Sequence, residues 1–114
     1  MRLILALVIA GGLCAPAFAQ DGKAVYEAKC GGCHSPGTNR IGPKHQGVVG
    51  RAVASVPDYA YSPALKKLGG VWTEARLDQW LQNPQKLAPG SKMYLMVTDP
   101  AQRKLIIGYL AMLK

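Results

Sequence analysis

The chain has 114 residues, with 14 Lys and Arg against six Asp and Glu, a net charge of +8, and three cysteines. That length gives one small domain with a thin core, of the kind that a disulfide, a metal or a cofactor braces. The basic balance suits an acidic partner surface, and nucleic acid is set aside because no nucleic-acid-binding motif accompanies the charge.

Residues 1–19 read as a signal peptide. Arg2 precedes an apolar run from Leu3 to Leu13, and Ala17-Phe18-Ala19 supplies the small-residue pattern cut after Ala19. The run is too short to span a bilayer and no later stretch approaches that length, so the expectation is export to the periplasm with no membrane span in the mature protein. Cys14 leaves with the leader, because Leu13 stands where lipidation needs a small residue. Residues 20–114 then form one domain in an oxidising compartment, with Cys30 and Cys33 as its only cysteines.

Asp21 is placed to cap a helix running through GKAVYEAKCGGCH (22–34), with Val25, Tyr26 and Lys29 on the stripe ahead of the cysteines. Residues 35–60 are rich in Gly and Pro and show no helical period; a loop that long needs something to wrap. Ser62 and Pro63 open a second helix, stopped by Gly69-Gly70. Thr73 caps a third, EARLDQWLQN, with Leu77, Trp80 and Leu81 at helical spacing and Pro84 as its stop. After an irregular stretch, PQKLAPGSKMYLMVT, Asp99-Pro100 starts the last helix, whose stripe is Leu105, Ile106, Tyr109, Leu110 and Leu113; Met112 is assigned to packing. No strand is expected, and the fold class is all-α, about four helices joined by long loops.

The segment Cys30-Gly31-Gly32-Cys33-His34 has three chemical readings: a redox dithiol, half of a zinc site, or the attachment point of a haem. A dithiol of the thioredoxin kind belongs where a strand meets a helix, and nothing in this chain alternates that way. Zinc lacks donors, since only His45 remains after Cys30, Cys33 and His34. Haem meets every constraint: thioether bonds from Cys30 and Cys33 to the two vinyl groups, His34 facing the iron, an export signal, and a long loop to enclose a flat cofactor.

With CGGCH, IGPKHQGVVGR, YAYSPALK, VWTEARLDQWLQNP and PGSKM in order, the chain resembles the class I c-type cytochromes, mitochondrial cytochrome c and bacterial cytochrome c2, from about Gly22 to Leu113. The resemblance implies a small cytochrome c fold wrapped around one covalent haem c, with the first and last helices crossing at Gly22, Tyr26, Ile106 and Tyr109. It implies His34 and Met93 as axial ligands of the haem iron, with Met96 as the rival for the second place. It also implies that the Pro43 carbonyl accepts from His34, that Arg51, Tyr61, Ser62 and Trp72 bind the haem propionates, and that Ser91 supports the methionine loop.

Several positions depart from the family pattern. His45 stands where leucine is usual, and either lies at the surface after a loop shift or titrates near the cofactor or competes for iron; Gln46 replaces a histidine. Trp80 replaces a tyrosine, Leu95 replaces an aromatic residue, and one residue is missing between Met93 and the last helix. These changes bear on the reduction potential and the Met93 bond rather than on the fold.

With both axial positions filled by protein, the resemblance implies an electron carrier rather than an enzyme: a monomeric one-electron shuttle between redox enzymes. Lys29, Lys44, Lys86 and Lys92 are expected near the exposed haem edge to meet an acidic partner protein. The alternatives are a dedicated electron-accepting subunit of one periplasmic oxidoreductase, or a haem-based ligand sensor or peroxidase with an open sixth position.

Overall fold

The computed structural model describes residues 11–12 and 21–114, so the leader expected over residues 1–19 lies, apart from Gly11 and Gly12, outside the described residues. Five helices follow in order: α1 Gly22–Lys29, α2 Pro63–Leu68, α3 Glu74–Gln82, α4 Pro84–Leu87 and α5 Pro100–Met112. Their starts follow local chemistry. Asp21, Ser62, Thr73, Asn83 and Asp99 each accept a backbone N–H of the first turn through the side chain, satisfying donors that have no partner inside the helix.

Two boundaries differ from the sequence reading. α1 ends at Lys29 instead of running to His34, and residues 30–34 form a tight turn closed by Cys33 N–H and His34 N–H on the Cys30 carbonyl, at 3.1 and 2.9 Å. The stretch after α3 is not wholly irregular, because Asn83 caps and Pro84 opens the single-turn α4. Pro84 thus stops one helix and starts the next, as a residue with fixed φ and no N–H can do at a first helical position.

The core forms where α1 packs on α5 and α5 on α3. Val25, Tyr26, Leu77, Leu81, Ile106 and Leu110 are buried there, each contributing about 1.5–3 kcal/mol of apolar burial. On α5 the buried face is Arg103, Ile106, Ile107 and Leu110, while Leu105, Tyr109 and Leu113 flank it. Met112, expected to pack, is 75% exposed. α1 approaches α5 closely at Gly22, where a Cβ would lie 2.5 Å from the Leu105 carbonyl oxygen; any side chain there would push the helices apart.

Arg103 ties the frame together. Its Nε donates to Asp78 of α3 at 2.8 Å, and its Nη1 donates to the Val97 and Thr98 carbonyls at 2.9 and 3.1 Å. The guanidinium, buried on α5, holds the Asp78 carboxyl below the usual carboxylate range and anchors the segment that leads into α5. The long loop is pinned likewise: Gly50 N–H donates to the Trp72 carbonyl, Trp72 N–H to Arg51 and Val53 N–H to Gly70, leaving one isolated bridge, Ala52 to Val71, and no strand among the described residues.

Candidate functional site

Helices α1, α3 and α5 and the two long irregular stretches enclose a cavity of about 240 Å³ whose walls include Cys30, Cys33, His34 and Met93. The residues singled out from sequence, Pro43, Arg51, Tyr61, Ser62, Trp72 and Ser91, line the same space. They arrive from four separate stretches of chain.

Around His34 the geometry is tightly held. Nδ1 lies 2.8 Å from the Pro43 carbonyl oxygen; a carbonyl can only accept, so Nδ1 carries the proton and a neutral ring keeps its lone pair on Nε2. Burial lowers the His34 pKa, the Pro43 bond opposing it and Arg40 adding to it, which favours that neutral form. The Gly42 backbone passes so close over the ring that a Cβ would lie 2.5 Å from Nδ1 and 2.6 Å from Nε2. Arg40, not singled out from sequence, braces the turn by donating to the Gly31, His34 and Gly32 carbonyls at 2.7, 3.3 and 3.4 Å.

The cysteines are unpaired, Cys30 buried and Cys33 exposed. Burial pushes the Cys30 thiol up to about 11, the opposite of the thiolate that disulfide exchange requires. Both thiols and the His34 imidazole line the same cavity.

The comparisons agree. The family model described as Cytochrome c matches residues 19–114. The chain belongs to the cytochrome c family. It is 41% identical to cytochrome c of Euglena viridis over 99 residues, covering 84% of this chain and 97% of that one. It is 43% identical to cytochrome c2 of Rhodopila globiformis over 97 residues, covering 82% and 92%. Among solved structures, cytochrome cH from Methylobacterium extorquens superposes with a TM-score of 0.76 at 41% identity, covering 80% of this chain and 94% of that one. This cytochrome is therefore an electron-transfer protein of a family that binds one covalent haem c.

The cavity of this family member fits that group. Arg51 donates through Nη1 to the Lys44 and Gln46 carbonyls, at 3.0 and 3.2 Å, but its Nε is buried with no hydrogen-bond partner. An orphaned guanidinium N–H in a cavity wall calls for an acceptor, and a propionate carboxylate would satisfy it. Ser62 is buried and its Oγ caps α2 by accepting from Leu65 N–H at 3.1 Å. The Tyr61 hydroxyl accepts from Val56 N–H at 3.1 Å, and Trp72 lies against Trp80 with ring centroids 5.4 Å apart.

Of the two readings of His45, the structure removes the surface one. It does not sit at the surface: its ring stacks on His34 with centroids 4.0 Å apart and 19° between planes, and its Nδ1 is 2.8 Å from the Tyr26 hydroxyl. It lines the same cavity as His34. Burial, then the charges of His34 and Arg51, push its pKa down to about 3. The signal that could have found it is the pairing of a polar tyrosine on the buried stripe of α1 with a histidine in the loop.

Tyr26 is only 2% exposed, so its hydroxyl depends on His45. His45→Leu is expected to cost about 1–3 kcal/mol by leaving that hydroxyl unpaired. Tyr26→Phe added to His45→Leu should recover most of the loss, as denaturant unfolding of all three variants would reveal; equal loss in the double variant would show that the pair does not interact.

Of the four lysines, Lys29 and Lys92 line the cavity mouth and Lys44 and Lys86 do not. Lys92 donates to the Ala60 carbonyl and lies 5.8 Å from the Tyr59 ring centroid. Of the methionines, Met93 lines the cavity, while Met96 is 52% exposed. No helix among the described residues is long and apolar enough to cross a membrane.

Proposed function

We propose that the protein is a periplasmic mono-haem electron carrier, a one-electron shuttle between redox enzymes, exported by a signal peptide over residues 1–19 and folded as one domain over 20–114. The observation that carries this reading is the convergence of Cys30, Cys33, His34 and Met93 on one cavity. When bound, haem c supplies the one-electron couple of its iron. Cys30 and Cys33 would hold it through thioethers, and His34 Nε2 and the Met93 sulfur would bind its iron. The Pro43 carbonyl fixes the His34 tautomer and makes the ring a stronger donor. Arg51, Tyr61, Ser62 and Trp72 would receive the propionates, and Ser91 would steady the methionine loop.

A thioether and an imidazole on the iron would favour its ferrous state, and with both supplied by the protein there would be no place for oxygen or peroxide, which suits transfer rather than turnover. Lys29 and Lys92 at the mouth support docking of an acidic redox partner, with association weakened by salt. The carrier works as a monomer.

The test is the visible spectrum of protein loaded with haem in a bacterial periplasm. A low-spin spectrum with the weak red-edge band of a methionine-to-ferric-iron bond is expected. Met93→Leu should abolish that band and Met96→Leu should keep it. A high-spin spectrum in the unsubstituted protein would overturn the carrier reading in favour of ligand binding or peroxide chemistry.

A further inference from the structure

The segment that carries Met93 is held by one side chain with no place in the function so far. Gln85, in the first turn of α4, donates through Nε2 to the Met93 carbonyl at 2.7 Å, the Ser91 carbonyl at 2.8 Å and the Ser91 Oγ at 3.1 Å. Its Oε1 accepts the Gly90 N–H at 3.1 Å. The amide can face only one way: reversed, it would set its oxygen against two carbonyl oxygens and its NH₂ against an N–H. One rigid group therefore fixes residues 90, 91 and 93 relative to α4.

The base of this clamp is firm as well. Asn83 caps α4, Pro84 is buried, and Gln85 N–H donates to Asn83 Oδ1 at 3.2 Å. The remaining bonds on residues 90–93 are few. Ser91 N–H donates to the Ala88 carbonyl at 3.0 Å and Lys92 Nζ donates to Ala60, whereas the next tie, Val97 N–H to the Leu81 carbonyl at 2.7 Å, lies four residues past Met93. Tyr94, Leu95 and Met96 are all exposed. Gln85 is thus the attachment that stands directly on the Met93 main chain.

We infer that Gln85 is a positioning residue for Met93, keeping the methionine loop closed so that the sulfur stays on the iron and outside ligands stay off it. The inference rests on the reading of Met93 as an axial ligand. A side chain binding three backbone groups lowers the chance of loop opening, and the apparent affinity of a competing ligand follows the fraction of open loop.

The test uses haem-loaded ferric protein titrated with imidazole, with Gln85→Leu and Gln85→Glu each made in the natural and the Met93→Leu backgrounds. In the natural background both variants should bind imidazole about tenfold or more tightly and show a weaker red-edge band. In the Met93→Leu background, where no methionine remains to be displaced, neither should change the affinity. Unchanged affinity in the natural background would overturn the inference. An equal rise in both backgrounds would overturn it too, by showing that Gln85 acts on access to the cavity and not through Met93. If Met93→Leu alone left the band and the imidazole affinity as they were, the ligand reading itself would fall, a result distinct from either.

Discussion

Haem-free protein with Cys30→Ser and Cys33→Ser is expected to show far-UV circular dichroism well below that of the loaded protein and no cooperative thermal transition. The reason lies in what lines the cavity. Val48, Trp72, Leu77, Leu81, Ile106 and Leu110 belong both to the buried core and to the cavity wall. Without the bound group this apolar wall faces water instead of a packed partner, a cost in lost apolar burial. Small domains have only about 5–15 kcal/mol of stability in all. The charge of Arg51 in the wall, its Nε unpartnered, adds to the cost. Calorimetry of the haem-free double variant decides the matter: a sharp cooperative melt would show that the chain supplies a sufficient core by itself.

Gly42→Ala should damage the site as severely as a single methyl group can. Gly42 does not adopt a conformation barred to alanine, so the effect would come from space alone. The new Cβ would lie 2.5 Å from His34 Nδ1. The ring cannot step aside easily, because Pro43 holds it at 2.8 Å and His45 stacks on it at 4.0 Å. Overpacking of about 1–3 kcal/mol and a lost hydrogen bond of about 1 kcal/mol are expected together. The yield of loaded protein should fall and the low-spin spectrum should weaken. Gly32→Ala is the matched control, for nothing lies within 4 Å of its Cβ position, and it should change unfolding by less than about 0.5 kcal/mol. Similar losses in both variants would mean that the turn resists any side chain and that contact with His34 is not the cause.

What the sequence alone determined is whatever chemistry acts within a few residues. Asp21, Ser62, Thr73 and Asp99 mark helix starts because a side-chain oxygen reaches a backbone N–H two or three positions ahead. Cys30, Cys33 and His34 announce a covalently bound haem because their spacing is itself the attachment geometry. α4 is legible in principle, since Asn83-Pro84 carries the same cap-and-proline signature as Ser62-Pro63, but a terminating and an initiating proline look alike in one dimension.

The tertiary structure decided everything that depends on which segments meet. The end of α1 at Lys29 follows from the turn that residues 30–34 make under Arg40 and Gly42. The inward His45 depends on Tyr26, 19 positions away on another element, and Arg40, nine positions from Gly31, folds back on the turn. Gln85 looks like any polar residue on a short helix until the loop returns and offers it the Gly90, Ser91 and Met93 backbone. Periodicity and capping are properties of a local stretch, whereas a buried polar group takes its partner from wherever the chain closes around it, and only the packed structure specifies that place.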